Sequence, residues 1–184
     1  MAKMAKTKIV IYGLDRRHPG LTPHVGGSYT EAASVCLGRH HASPVMMSVT
    51  CGVKQTGREI DFAKPEPRIL KAWNNDTDTT EAGAYGVALA AVEAEEELVA
   101  ISRAETQTGA DWYVAHRGEQ PEDLETCFRL EVSGVDAGSK SVIEARLKMK
   151  IEQTHRGKSN LPAIASVIGF KERLVLINKI EAKK

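Results

Sequence analysis

The sequence has few of the features that mark several large classes of protein. Aromatic residues make up only 5% of the 184 residues, which disfavours an aromatic stacking surface for single-stranded nucleic acid. No apolar run approaches the roughly 18 residues that a transmembrane helix needs. The three cysteines include no Cys-x-x-Cys pair, so the sequence indicates neither a disulfide framework nor a cysteine-rich zinc site.

An excess of charge of either sign is also absent. The chain has 25 Lys and Arg residues against 24 Asp and Glu residues, a net charge of +1, so a contact with nucleic acid requires a local basic patch. The N-terminal residues lack the apolar segment of a signal peptide. Together with the cysteine usage, this predicts a cytoplasmic protein that does not associate with membranes.

The hydrophobic patterning predicts an α/β (α+β) fold, with a central mixed sheet and flanking helices. Helical spacing of apolar residues is clearest over 81–97 and 139–155. Between these helices, strands are predicted over 98–101, 110–115 and 127–135, and two more over 163–170 and 174–180. The predicted order from residue 80 on is therefore helix, three strands, helix and two strands.

The N-terminal third is predicted to be a smaller α+β elaboration. Its predicted elements are a strand over 8–12, a helix over 29–37 capped by Ser28, and strands over 45–53 and 58–62 joined by a turn at 55–57. Two prolines in the segment 64–67 make a rigid break. We place a domain boundary there, which divides the chain into an elaboration over 1–66 and a core over 67–184, expected to form one compact unit.

Three carboxylates in the core are candidates for a metal site. Asp111 begins a predicted strand, and Glu131 lies in the middle of the next one, so adjacent strands bring the two carboxylates to one edge of the sheet. Glu81 lies on the apolar face of the first core helix. Carboxylates held close together repel unless a cation lies between them, and oxygen-only ligation suits Mg²⁺ or Mn²⁺.

The order of elements and these acidic residues resemble the core of the PD-(D/E)xK, or restriction-endonuclease-like, nucleases, αβββαβ. Gly109-Ala110-Asp111 resembles the first motif of that family, and Leu130-Glu131-Val132-Ser133 resembles the second. The resemblance covers about residues 80–180 and implies a magnesium-dependent nuclease with Asp111 and Glu131 as catalytic residues. The same strings are similar to small uncharacterised bacterial proteins, some of which lie beside phage-defence genes.

The sequence departs from this family at one position. Ser133 stands where the motif has a lysine, whose charge orients the attacking water and stabilises the developing negative charge. A cation from Arg129, two residues before Glu131 on the same strand face, is one predicted replacement. A second comes from Lys140 or Lys148 on the following helix. We therefore expect Ser133 and Arg129 to line the site beside Asp111 and Glu131.

Each of these residues also has a purely structural interpretation. Asp111 suits a turn that bonds its own backbone, and Glu131 suits an ion pair with Arg129 or Arg103. Glu81 suits the first turn of a helix.

Other candidate residues carry weaker signals. His40 and His41 are adjacent and so point in different directions, Cys36 is predicted to be buried, and Gly26-Gly27-Ser28 lacks the lysine of a phosphate-binding loop. Arg146, Lys148 and Lys150 form a modest basic surface on the second core helix.

Three functions remain open from the sequence. The first is a Mg²⁺- or Mn²⁺-dependent nuclease that acts on DNA or RNA, within a bacterial defence complex. The second is a non-catalytic adaptor or sensor subunit with a degenerate nuclease fold, and the third is a hydrolase of small nucleotides. Because Ser133 carries no charge, the isolated chain is expected to have weak or no nuclease activity, with a protein partner or a second copy of the chain supplying the missing cation.

Overall fold

The chain folds around one mixed sheet of seven strands. A computed structural model describes residues 8–106, 108–119, 124–157 and 159–182. The strands are β1 (Val45–Cys51), β2 (Lys54–Ile60), β3 (Leu98–Arg103), β4 (Trp112–His116), β5 (Phe128–Val135), β6 (Ala163–Gly169) and β7 (Leu174–Ile180). The helices are α1 (Pro23–Gly38), α2 (Pro67–Ala72), α3 (Asp76–Glu96) and α4 (Lys140–Arg156). The predicted α+β class, with a mixed sheet flanked by helices, is confirmed.

The strand order is β2-β1-β7-β6-β5-β4-β3. Strands β3, β4 and β5 form an antiparallel meander, after which α4 crosses over and β6 pairs parallel to β5. Strand β7 pairs antiparallel with β6 and parallel with β1. The hairpin of β1 and β2 therefore extends the same sheet, so that the N-terminal part and the core share one sheet.

The two long core helices lie on opposite faces of the sheet. Leu130 and Val132 of β5 belong to the main apolar core, which also contains the buried face of α3. Val135, on the other face of β5, packs with Ile143 of α4 and Val167 of β6. Apolar side chains on one face of β5 therefore pack toward α3 and those on the other face pack against α4, as expected for a strand that is covered on both faces.

Helix α3 begins earlier than its apolar stripe predicts. Asn75 caps it, and the Asn75 side chain accepts hydrogen bonds from the backbone N–H groups of Thr77 and Asp78 at 3.0 and 3.2 Å. Glu81 therefore lies in the second turn rather than at the first position. Along this helix, Gly86 faces α1, because a Cβ there would lie 2.9 Å from the carbonyl oxygen of Tyr29.

Strand β5 is longer than β4, and this difference creates space at one end of the meander. Strand β4 starts at Trp112, opposite Leu130, so β5 runs on without it toward Val135. In that extension Gly134 is in close contact with α3, since a Cβ there would lie 2.6 Å from the carbonyl oxygen of Thr80. The start of α3, the extension of β5 and α4 therefore surround one end of the sheet.

Several N-terminal predictions are wrong in their boundaries. Residues 8–12 form only a single bridge, between Lys8 and Glu59, rather than a strand. Helix α1 is capped by Thr22, which accepts a hydrogen bond from the backbone of Val25, so the predicted cap Ser28 lies inside the helix. The hairpin turns at Gly52, whose φ of 59° suits glycine, rather than at the predicted residues 55–57.

No helix within the described residues is long and apolar enough to span a membrane.

Candidate functional site

A cleft of about 470 Å³ opens where α3, the end of the β4–β5 pair and α4 meet. Three of its lining residues belong to the predicted site, namely Glu81, Asp111 and Ser133. Its other lining residues are Asp76, Thr77, Thr80, Tyr85, Val132, Gly134, Arg146 and Lys150. The cleft is therefore acidic on the α3 and β4 side and basic on the α4 side.

Asp111 is fixed by both its backbone and its side chain. Its backbone N–H donates to the carbonyl of Leu130 at 2.8 Å, and its own carbonyl accepts from the N–H of Ala104 at 3.0 Å. The Oδ2 atom accepts a hydrogen bond from the N–H of Val132 at 2.8 Å. Asp111 thus satisfies a backbone donor of β5 just beyond the start of β4, which leaves its carboxylate at the floor of the cleft.

Glu81 and Asp111 meet at the hydroxyl of Tyr85. This hydroxyl lies 2.8 Å from Asp111 Oδ1 and 3.0 Å from Glu81 Oε1. Arg103 donates to the same hydroxyl from Nη2 at 3.0 Å, and its guanidinium lies 4.5 Å from the centre of the tyrosine ring. Burial raises the pKa of Tyr85, and the nearby Asp111 carboxylate raises it further although Arg103 opposes both. The hydroxyl therefore keeps its proton at neutral pH.

Glu131 lies beneath the cleft and is paired with a lysine from α4. Only 3% of its side chain is exposed, and Oε1 accepts a hydrogen bond from Lys150 Nζ at 2.5 Å. Burial raises the pKa of Glu131, the negative charge of Asp111 adds to this effect, and Lys150 opposes it. Glu131 is thus linked to the cleft through Lys150, which lines it.

Lys150 therefore brings a cation into the same cleft as Ser133, the residue that stands in place of the motif lysine. The two lysines proposed for this role from the sequence are not in place. Lys140 lies at the start of α4 near Glu144, at 3.8 Å, and Lys148 is exposed and outside the cleft lining. Ser133 itself lines the cleft.

The prediction that Arg129 lines the cleft is wrong. Its guanidinium is buried and donates to the backbone carbonyls of Thr108, Thr154 and Leu161 at 3.1–3.2 Å. These bonds hold the end of α4 and the loop before β6 against the start of β5. Arg129 is therefore a structural cation at the far end of the strand, and Glu131 pairs with Lys150 rather than with Arg129 or Arg103.

The three predicted metal ligands do not form one ligand cluster. Glu81 and Asp111 share the Tyr85 hydroxyl, whereas Glu131 is engaged by Lys150. Over the part of the chain that the structure describes, no group of three or more His, Cys, Asp or Glu side chains is positioned to hold a metal ion. Of the three predicted ligands, Glu81 and Asp111 line the cleft, together with Asp76 at the start of α3, which is paired with Arg39 at 2.7 Å.

The weaker candidates of the sequence have structural partners. His40 lies 3.1 Å from Asp136, and His41 bonds the backbone carbonyl of Phe170 at 2.8 Å, so the two rings face different partners. Cys36 is buried, and burial raises its pKa to about 12, which leaves it an unreactive thiol at neutral pH.

Two important residues of the cleft, Tyr85 and Lys150, have no place in the site predicted from the sequence, where Lys150 is named only as part of a basic surface on α4. Tyr85 follows Glu81 by one helical turn, so the two side chains are neighbours on α3. Lys150 follows Ile143 by two turns, which places it on the face of α4 that packs against the sheet. Both spacings are present in the sequence, but the apolar residues at the same spacing indicated a core-facing surface rather than a site.

Comparison of the chain with protein-family models, with curated proteins and with solved structures finds no significant match.

Proposed function

We propose that this chain is a divalent-cation-dependent nuclease that hydrolyses the phosphodiester bonds of nucleic acid in the cleft between α3 and α4. The observation that carries the proposal is the meeting of two cleft-facing carboxylates, Glu81 and Asp111, with the ammonium of Lys150 around Ser133. Acidic groups on one wall and a cation on the other suit a reaction in which negative charge develops on a phosphate.

The donor set of the cleft fits magnesium or manganese. Glu81 and Asp111 offer only oxygen atoms, and Mg²⁺ is commonly held by one or two carboxylates together with water and substrate phosphates. A bound ion would activate water and neutralise charge on the phosphodiester. A third protein carboxylate is not required for such a site, which makes the two-carboxylate arrangement compatible with it.

Lys150 and Arg146 would act on the phosphate from α4. An ammonium has three N–H donors, and Lys150 uses one on Glu131 and a long one, at 3.4 Å, on Gln153, which leaves a donor for a ligand. Arg146 lines the same cleft and has no ion-pair partner among the described residues. It is therefore free to bind a phosphate oxygen, and the missing strand lysine no longer requires a partner protein to replace it.

Arg146 also extends the basic surface beyond the cleft. A second hollow, of about 300 Å³, runs along α4 and is lined by Arg146, Lys150 and Arg156 together with Met149, Glu152 and Gln153. A row of cations along one helix, of which Arg156 is also paired with Glu152 at 3.8 Å, suits the repeated charges of a phosphate backbone better than a single small nucleotide. This favours nucleic acid over a small nucleotide as the substrate.

A second function, a non-catalytic nuclease-like subunit, is favoured by one observation. Glu131 is buried and already paired with Lys150, so it is not available as a metal ligand in this arrangement. A chain that binds nucleic acid without cutting it would show the same pairing.

The test is a cleavage assay with the purified chain, Mn²⁺, and plasmid, single-stranded DNA and RNA as separate substrates. Wild type is compared with Asp111→Asn and with Lys150→Met, which removes the charge and keeps an unbranched side chain. Lys148→Met is the matched control, because Lys148 lies on the same helix, is exposed and does not line the cleft.

We expect wild type and Lys148→Met to cut one of the substrates, Asp111→Asn to be inactive, and Lys150→Met to be slower by about 10²–10³-fold. No cleavage by wild type together with binding of the substrates would support the non-catalytic function. Equal rates for wild type and both cleft variants would place the activity elsewhere and overturn the proposal.

A further inference from the structure

We propose that Tyr85 is the positioning residue of the cleft, whose hydroxyl holds the carboxylates of Glu81 and Asp111 side by side as the two ligands of a divalent cation. This inference rests on the proposed function, because it concerns the same two carboxylates. Tyr85 does not contact the reacting atoms. It acts through the two side chains that it holds.

The hydroxyl of Tyr85 has one hydrogen for two carboxylate oxygens. Arg103 donates to the hydroxyl oxygen from Nη2 at 3.0 Å, which uses a lone pair and directs the hydrogen toward the carboxylates. The hydrogen can be donated to Asp111, at 2.8 Å, or to Glu81, at 3.0 Å, but not fully to both. Two carboxylates that share a single donor repel each other, and Arg103, whose Nη2 lies 3.7 Å from Asp111 Oδ1, offsets part of that repulsion. A divalent cation bound by both carboxylates would offset the remainder.

Tyr85 is itself rigid, so the hydroxyl is a fixed point. The ring is buried in the main apolar core, with Tyr29 5.4 Å away between ring centres. On the other side the guanidinium of Arg103 covers the ring at 4.5 Å. The side chain projects from the third turn of α3, a helix that is buried over most of its length.

The two carboxylates depend on Tyr85 to different extents. Asp111 is also held by the N–H of Val132 at 2.8 Å and by Arg103, whose Nη2 lies 3.7 Å from Oδ1. Glu81 is exposed, and Tyr85 is its hydrogen-bond partner at 3.0 Å, with no second partner among the described residues. Loss of the hydroxyl is therefore expected to release Glu81 and to leave Asp111 in place, which would turn a two-carboxylate site into a one-carboxylate site.

The experiment measures Mn²⁺ binding by titration calorimetry, without substrate, on wild type and Tyr85→Phe. The phenylalanine keeps the ring and removes only the hydroxyl. The matched control is Tyr113→Phe, because Tyr113 also donates to a carboxylate, Glu105 at 3.0 Å, outside the cleft. Thermal unfolding midpoints of the three proteins show whether either substitution disturbs the fold.

We expect the Mn²⁺ affinity of Tyr85→Phe to fall by about 10- to 100-fold, the usual effect of removing a group that orients a metal ligand, and that of Tyr113→Phe to stay unchanged. Binding that is equal in wild type and Tyr85→Phe would overturn the positioning role and leave the proposed function intact. A wild-type chain that binds no Mn²⁺ would overturn the proposed function and this inference with it.

A double-mutant cycle with Glu81→Gln separates positioning from a general packing effect. If Tyr85 acts by holding Glu81, the effect of Tyr85→Phe on Mn²⁺ affinity is clearly smaller in the Glu81→Gln background than in wild type. An effect of the same size in both backgrounds would show that Tyr85 does not act through Glu81 and would refute the proposed role.

Discussion

The pairing of Glu131 with Lys150 predicts that Lys150→Met lowers the free energy of unfolding, and that this loss is larger at neutral pH than at acidic pH. Glu131 is 3% exposed and Lys150 is 19% exposed, so Lys150→Met leaves a buried carboxylate without its cation. Breaking a buried ion pair by removing one partner typically costs about 3–5 kcal/mol. Because Lys150 keeps part of its surface in water, we expect the lower end, about 3 kcal/mol at neutral pH.

The sign of the pH dependence follows from the direction of the pKa shift. Burial and the charge of Asp111 raise the pKa of Glu131 above its ordinary value of 4.5, and Lys150 opposes them. The folded chain thus holds this proton more tightly than the unfolded chain, and stability falls as the pH rises through the folded-state pKa. Removing Lys150 raises the pKa further, so the variant loses stability over a wider range above 4.5.

The assay is urea unfolding of wild type, Lys150→Met and Lys148→Met between about pH 4 and pH 8, followed by the fluorescence of buried Trp112. The difference in unfolding free energy between wild type and Lys150→Met should be small at the acidic end, where Glu131 is protonated, and grow toward neutral pH. Lys148→Met should track wild type throughout. A difference that is independent of pH, or no larger than that of Lys148→Met, would refute the reasoning.

Three further substitutions test the packing beside the cleft, the packing of α1 and the charge of the cleft. Gly134→Ala should lower the free energy of unfolding by about 1–3 kcal/mol in urea titrations, because the new Cβ would lie 2.6 Å from the carbonyl oxygen of Thr80. Gly27→Ala, in α1 with no atom within 4 Å of the added Cβ, should instead raise it by about 0.5–1 kcal/mol, and a loss there would contradict this. Ser133→Lys, which restores the residue of the nuclease motif, should not accelerate cleavage in the Mn²⁺ assay, because Lys150 already lines the cleft and a second ammonium would repel it. A gain in rate would show that Lys150 does not supply the missing charge.

The core of the fold could be predicted from the sequence because its periodicities are strong. The change from helical spacing to alternation and back locates α3, the meander, α4 and the last two strands to within a few residues. The N-terminal boundaries could not be predicted in the same way. Thr22 before Pro23 is as good a helix start as Ser28, and the turn at Gly52 is set by pairing with β2 rather than by local sequence.

The acidic half of the cleft was also predictable, whereas Arg146 and Lys150 could be predicted only as a basic surface on the helix and not as part of the cleft. Asp111 and Ser133 follow from their positions on adjacent strands, since the register of β4 and β5 places them at one end of the pair. The position of the cation, Lys150, depends on how α4 crosses the sheet, and no local sequence pattern determines that crossing. Arg129 was a reasonable choice by strand face, yet its guanidinium donates instead to the backbone carbonyls of Thr108, Thr154 and Leu161.

Placing the cation on a helix makes the cleft depend on the packing of that helix. A lysine at the position of Ser133 would be carried by the same strand as Glu131, whereas Lys150 reaches Glu131 only if α4 lies close to the sheet. Ile143 secures that approach, because it fills the space that Gly169 of β6 leaves open: a Cβ at Gly169 would lie 2.2 Å from Ile143 Cδ1. Charge in the cleft and apolar packing under α4 are therefore linked, and a substitution that lifts the helix from the sheet would separate Lys150 from Glu131 without touching either residue.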